Sequence, residues 1–264
     1  MTMRDQITPA EKIEEKQAAF YDNYDYKEFW KGRDYESESD AVAVVDFLKK
    51  TKTDTTCIID VGGGLGRLVP YYAKAFESAI LLDPSIQQLE ETKARIGMEY
   101  PNLSFIRGIA QNIPVANGSV DVVVCVRVSH HIPEIKEALA EYKRILVPEG
   151  CLILDIANKR HMKARLKAFW SKEKRKKLAS VDPVKVYGDE EEVPYVNHNP
   201  HRTIKEIEDL GFEILAIRSV SNLRSRLLKR IFPLSVLMSI ERAIQIPLGK
   251  VFFGPSIFIL ARKK

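Results

Sequence analysis

The stretch DVGGGLGRL, Asp60–Leu68, sets an acid and four glycines within seven positions, directly after the apolar run Cys57–Ile59. Glycine lets a backbone approach a ligand that any side chain would block. The pattern is D-x-G-x-G-x-G, formed by Asp60, Gly62, Gly64 and Gly66. A Walker-type phosphate loop needs Gly-Lys-Ser/Thr, which is absent here. A dinucleotide fingerprint, G-x-G-x-x-G, needs glycine where Arg67 stands. A second acid, Asp83, closes the next apolar run, AILLD, and an acid there accepts both hydroxyls of a ribose. The loop and Asp83 together suit an adenosine-type ligand, without separating a nicotinamide cofactor from another adenosine.

Histidines are the other groups able to do chemistry. His130 and His131 lie just past the run VDVVVCV, and His198 and His201 fall in VNHNPH. Such a histidine serves as general base toward a hydroxyl, or simply packs and shapes a pocket. Their spacing is irregular and no acid completes a ligand set, so no metal site is expected. Cys57, Cys125 and Cys151 sit in or beside β-branched runs and read as small buried hydrophobes of a reducing cytosol.

The elements that must carry these groups alternate. Strands are predicted at Cys57–Val61, Ala79–Asp83, Leu103–Ile106, Val120–Val126 and Cys151–Ala157, with PEG at 148–150 as a turn. Helices are predicted at Leu65–Phe76, Ser85–Met98 with Ser85 as N-cap, and Pro133–Leu146. Strands alternating with helices at this spacing imply right-handed crossovers and a parallel sheet, with its ligand beyond the carboxyl ends of the strands. Residues 1–50 read as helices, including Glu11–Phe20, the unusually aromatic YDNYDYKEFW and Ser39–Lys50. A helix over Thr203–Leu210, a sixth strand over Phe212–Val220 and a seventh, SIFILARKK, complete the pattern. The expectation is one domain over 1–264, interrupted by insertions at 158–202 and 221–254.

The 264 residues are 45% hydrophobic and 29% charged, which suits a folded globular chain. The start, MTMRDQITPAEK, is polar, and no apolar run reaches the ~18 residues of a membrane span. A cytoplasmic protein is therefore expected. Net charge is +5, but ten Lys or Arg lie between Asn158 and Lys177 against one acid, Glu173. Met162, Leu166, Phe169 and Trp170 share a helical stripe among those cations. The pattern suits an interfacial basic amphipathic helix, or a cap over the active site. Residues Leu223–Phe253 are rich in apolar side chains, with Pro233 and Pro247 expected to split them into short helices. The acidic run Asp189–Glu192 reads as a solvated loop.

RGIAQNIPVANGSVDVVVCVRVSHHIPE, followed by GCLILDIA and the last two strands, resembles the class I S-adenosylmethionine-dependent methyltransferases, in particular the methyltransferase type 11 group that includes quinone-biosynthesis enzymes. The resemblance covers about residues 20–160 and 200–220, and the last strand. It implies a Rossmann-like α/β fold: a seven-stranded, mostly parallel sheet with helices on both faces, the last strand antiparallel, plus helical cap insertions. It implies S-adenosyl-L-methionine as cofactor. Asp60 and the backbone of Gly62, Gly64 and Gly66 would hold the methionine portion, helped by a helix starting near Leu65. Asp83 would bind the ribose, with Pro84 beside the adenine. Ile109 and Ala110 fill the adenine-pocket slot, where relatives often have an acid at the position of Ile109. Val126 and Arg127 would flank the methionine amino end, and Tyr35 resembles an element that closes over the cofactor. His131 or His198 would be the base. The implied reaction is in-line O- or C-methylation of a small-molecule or lipid-like acceptor. An anionic membrane surface, reached through 158–177 and 223–253, fits as a partner, making the protein peripheral to a membrane. Nucleic acid is not an expected partner, because the insertions offer few aromatics for stacking. A nicotinamide-dependent oxidoreductase and a non-catalytic S-adenosylmethionine-binding protein are the rival readings.

Overall fold

The computed structural model describes residues 20–22, 26–51, 56–187 and 195–264. The expected helix over Glu11–Phe20 and the acidic run Asp189–Glu192 lie outside the described residues, Phe20 excepted.

Among the described residues, helical Phe20–Asp22 precede α1 (Tyr26–Trp30) and α2 (Asp34–Leu48), the latter starting five residues before the Ser39 expected from the apolar spacing. Strand β1 (Cys57–Val61) leads into the glycine loop, then α3 (Val69–Tyr72), β2 (Ser78–Asp83), α4 (Ile86–Ile96) and β3 (Leu103–Arg107). Next come β4 (Val120–Cys125), α5 (Ile135–Ile145) and β5 (Leu146–Ala157). The first insertion holds α6 (Met162–Phe169), α7 (Lys172–Ala179) and a small hairpin of β6 (Val184–Tyr187) and β7 (Tyr195–Asn197). Helix α8 (Pro200–Asp209) and strand β8 (Phe212–Val220) follow. The second insertion is α9 (Arg226–Ile231) and α10 (Leu234–Gly249), and β9 (Ser256–Lys263) ends the chain.

The main sheet has seven strands in the order β3-β2-β1-β4-β5-β9-β8. Strands β1 to β5 pair in parallel, and β9 runs antiparallel between β5 and β8. The β-branched run of β4 explains its central place: Val122, Val123 and Val124 are each 0% exposed, so both faces of the strand are covered. Full burial of each stabilises the fold by about 1.5–3 kcal/mol. Alternate residues feed two cores. Ile58 packs with Val44, Phe47 and Leu89 from α2 and α4 on one face. Ile59 packs with Leu139, Tyr142 and Ile207 from α5 and α8 on the other. The order reverses direction at β1 and β4, so the carboxyl ends of these strands open a crevice.

Three elements depart from the sequence pattern. The helix expected over Leu65–Phe76 shrinks to the four residues of α3, followed by a 3-10 turn at Ala73–Ala75. Gly64 and Gly66 have φ of +48° and +65°, which a right-handed helix cannot contain, and Pro70 belongs in a first turn. The expected helix start near Leu65 is therefore a turn. PEG at 148–150 is not a turn between elements but a bulge inside β5: Glu149 takes φ +62°, and the pairing with β4 skips between Val120 and Val122. Pro247 does not split the second insertion. It lies in the last turn of α10, where its missing N–H forgoes the bond to the carbonyl four residues back without ending the helix, while Pro233 is the N-cap residue of that helix.

Candidate functional site

Two adjoining cavities occupy the crevice, enclosing about 470 Å³ and about 490 Å³ including their open mouths. Both are lined by Tyr26, Gly62, Asp83 and Arg127, so they form one elongated site with a carboxylate at its waist.

The first cavity runs along the ends of β2 and β3. Pro84, Ile109, Ala110, Gln111 and His131 line it. Tyr21 roofs it, its segment tethered by Gln88 Nε2 donating to the Tyr21 carbonyl at 3.1 Å. Ile109 is 1% exposed and offers no acceptor, but the side-chain oxygen of Gln111 is buried without a hydrogen-bond partner. A buried acceptor left unpaired is costly, so this atom fits a ligand donor.

The second cavity lies under the glycine loop. Asp60, Gly63, Gly64, Arg67, Val126 and Trp30 line it with the shared residues. The loop is shaped by its glycines. Gly62 takes φ +72°, and a Cβ there would lie 2.2 Å from a Val128 methyl. Gly66 also takes a left-handed φ, but it lines neither cavity; a Cβ there would press on Thr92 and Ile96 of α4. Its left-handed φ and its packing against α4 shape the loop from behind.

Both acids of the pattern are buried. Asp83 accepts from the Gly64 and Ser85 amides at 2.9 and 3.0 Å. Burial pushes it up to about 7, a rise those two amides only partly oppose. Asp60 accepts from the Tyr72 hydroxyl at 3.1 Å, and burial pushes it up to about 6. Each carboxylate lines a cavity, where a ligand can add the donors that the protein withholds.

Around the expected Arg127 the structure also supplies groups that the sequence pattern did not single out. The Asp40 carboxylate of α2 is fully buried and accepts from Arg67 Nη2 at 3.0 Å, Arg127 Nε at 3.0 Å and Arg127 Nη2 at 2.7 Å. Arg67 further stacks on Trp30, its guanidinium carbon 4.2 Å from the ring centroid. Arg127 has φ +64°, and its amide donates to Asp155, which burial pushes up to about 6. The signals for these groups were present but faint: the aromatic run YDNYDYKEFW supplies Tyr21, Tyr26 and Trp30, and Arg67 displaces a glycine from the dinucleotide pattern.

Besides Gly66, two more expected site residues fall outside the cavities. Tyr35 is 2% exposed and lines neither cavity; its hydroxyl donates to Glu241 of α10 and accepts from the Leu223 amide at 2.9 Å. It fastens α2 to the second insertion. His198 is 2% exposed and also lines neither cavity. Its Nε2 bonds the Ser129 carbonyl at 2.8 Å and its backbone pairs with Ala157 and Lys159. A ring so engaged latches the β7 segment onto the end of β5, outside the lining of both cavities. His131 does reach the site, its ring edge-on to Tyr21 and Tyr195 with centroids at 5.5 and 5.9 Å. Among the described residues no cluster of three or more His, Cys, Asp or Glu is disposed to hold a metal.

Comparison with known proteins bears on this site. Residues 59–154 match a family model described as "Methyltransferase domain", a span that holds the glycine loop, Asp83, Ile109 and Arg127. A phthiotriol/phenolphthiotriol dimycocerosates methyltransferase of Mycobacterium leprae is 35% identical over 91 residues, 34% of this chain and 32% of that protein. A ubiquinone/menaquinone biosynthesis C-methyltransferase of Campylobacter jejuni is 27% identical over 103 residues, 37% of this chain and 43% of that one. The matched region spans less than half the length of these and other curated relatives. In fold, an S-adenosylmethionine-dependent methyltransferase structure from Thermotoga maritima aligns over 94% of this chain and 100% of that chain, with a TM-score of 0.59 and 16% identity. The comparisons do not favour a nicotinamide-dependent oxidoreductase.

Proposed function

We propose, from the chain's place among the class I methyltransferases, that it transfers a methyl group from S-adenosyl-L-methionine to a small-molecule or lipid-like acceptor. One observation carries this reading: two cavities joined at a buried carboxylate, Asp83, under a glycine loop. That shape suits a nucleoside linked to an amino acid. Asp83 would take the ribose hydroxyls, Pro84, Ile109 and Ala110 would flank the adenine, and Gln111 would accept from its amino group in place of the missing acid. Asp60, Gly62, Gly64 and Val126 would receive the methionine portion, its carboxylate facing the guanidinium charges of Arg67 and Arg127.

When bound, S-adenosyl-L-methionine supplies a methyl already activated on a sulfonium. The protein's work is then alignment and exclusion of water. The aromatic roof of Tyr21, Tyr26 and Trp30 serves the second task. For a hydroxyl acceptor, His131 would take the proton as the new O–CH₃ bond forms. For a carbon acceptor its part is to shape the pocket. The names of the relatives support lipid-like acceptors, with quinones and long-chain lipids as the first classes to try. No helix among the described residues is long and apolar enough to cross a membrane.

The test is turnover with methyl-labelled S-adenosylmethionine against quinone precursors, phenols and lipid extracts. Label moving into one acceptor class, with S-adenosylhomocysteine released in step, is the expected result. Cofactor binding without transfer to any class would favour a non-catalytic role. For an oxygen acceptor, His131→Gln should lower kcat by about 10²-fold and flatten its pH profile.

A further inference from the structure

Helix α10 is built inside out. Its buried positions are Leu237, Glu241, Gln245 and Gly249, a four-residue stripe that packs against α2 and β8. That stripe is largely polar. Glu241 is 0% exposed and accepts from the Tyr35 hydroxyl and the Asn222 side-chain amide. Gln245 donates to the Ser39 carbonyl at 3.1 Å and accepts from Arg218 at 3.2 Å. The apolar residues point the other way: Val236 is 39% exposed, Ile240 43% and Ile246 48%, and on α9 Leu227 and Ile231 are 65% and 60% exposed. A helix that covers a soluble core shows the reverse arrangement. Exposed aliphatic side chains gathered on two consecutive helices mark a surface that meets something.

We propose that the exposed face of α9 and α10 is a docking surface for an anionic lipid bilayer. Charge selects the occupant. Residues 223–251 contain six Lys or Arg and a single acid, Glu241, which is buried and bonded inside the protein. Lys229 and Arg224 pair with the buried Glu36 of α2, and the remaining cations, Arg226, Arg230, Arg242 and Lys250, are exposed, so the charge that the segment shows to solvent is positive. Aliphatic residues ringed by cations suit an interface of acyl chains beneath anionic headgroups, with the helix lying in the plane of the surface. A nucleic acid would call instead for stacking aromatics. The sixteen residues of α10 are too few to span a bilayer, in keeping with a surface position. This extends the reading of a lipid-like acceptor, yet no residue of 223–251 lines either cavity, so the two readings fail separately.

The experiment is co-sedimentation of the full chain with phosphatidylcholine vesicles, with and without phosphatidylglycerol. It compares the wild type, the double variant Val236→Glu/Ile240→Glu, and a control Met98→Glu at a residue that is 99% exposed after α4. Calorimetry with S-adenosylhomocysteine checks that each variant keeps its cofactor site. The wild type and the control should sediment with the anionic vesicles, less so at high salt. The double variant should partition about tenfold less, with unchanged cofactor binding. A wild type that stays in the supernatant, or a double variant that sediments equally well, would overturn the proposal. So would equal binding to vesicles lacking phosphatidylglycerol. A lipid-free dimer in light scattering that the double substitution dissolves would assign the face to a second copy and equally overturn it.

Discussion

The glycine loop and the second insertion both bury carboxylates, and they treat them differently. Asp83 and Asp60 line open cavities, hold only part of the hydrogen bonding they can accept, and are pushed up by burial to about 7 and about 6. Glu241 is enclosed by donors from Tyr35, Asn222 and Gln245, and lines neither cavity. An acid with spare acceptor capacity on a cavity wall is a ligand contact in waiting. An acid saturated by its own chain is a fastener. Asp40 is intermediate: it is fully buried and paired, but the guanidiniums it holds belong to the cavity wall.

The contrast can be broken by substitution, and the largest effect is expected at Asp40. Asp40→Ala strands two guanidiniums and should cost about 3–5 kcal/mol of stability in denaturant unfolding, with weaker cofactor binding besides. A loss under 1 kcal/mol would mean that the network is decorative. Glu241→Gln should cost about 1–3 kcal/mol of stability while leaving the dissociation constant for S-adenosylhomocysteine within a factor of two. A large change in affinity would show that fastener and ligand contact are not separate. Gln111→Leu is the smaller test of the cavity, at about 1 kcal/mol of affinity, because it removes one neutral acceptor.

Burial raises Glu241 as well, so proton linkage tests the cavity acids through ligand binding and not through the direction of their shift. Asp83 and Asp60 titrate higher in the folded protein than the ordinary carboxylate value of about 3.9. Between about pH 4 and pH 7 the folded state therefore holds more protons than the unfolded chain, and their contribution to stability falls as pH rises. Cofactor binding needs the carboxylate form, so affinity should rise over pH 5 to 7. Opposite slopes, read by calorimetry and by unfolding of the cofactor-free protein, are expected. Asp83→Asn should flatten both slopes in part. Parallel slopes would contradict the assignment.

The sheet was legible because β-branched runs such as VDVVVC must be covered on both faces, and Ser85 announced its helix as an N-cap whose hydroxyl accepts from Gln88 N–H. The length of α3 was not, since an apolar spacing over Leu65–Phe76 says nothing of the left-handed φ at Gly64 and Gly66. Asp60, Gly62 and Asp83 could be read because the loop is local in sequence. That Tyr35 and His198 lie outside both cavities could not be read, because their partners, Glu241 and the Ser129 carbonyl, are 206 and 69 residues away. Asp40 carries no local mark at all; it becomes visible only when Arg67 and Arg127 converge on it. The inverted polarity of α10 escaped for a similar reason, since Tyr35 and Arg218 decide which side of the helix is buried.

The most direct test is a calorimetric titration of the wild type and Asp83→Ala with S-adenosylmethionine and S-adenosylhomocysteine, with NADH as control. The account predicts micromolar binding of the first two to the wild type, none of NADH, and a dissociation constant raised by about tenfold or more in the variant, as two charge-assisted hydrogen bonds are lost. Binding of NADH alone, or equal affinity in the two proteins, would contradict it.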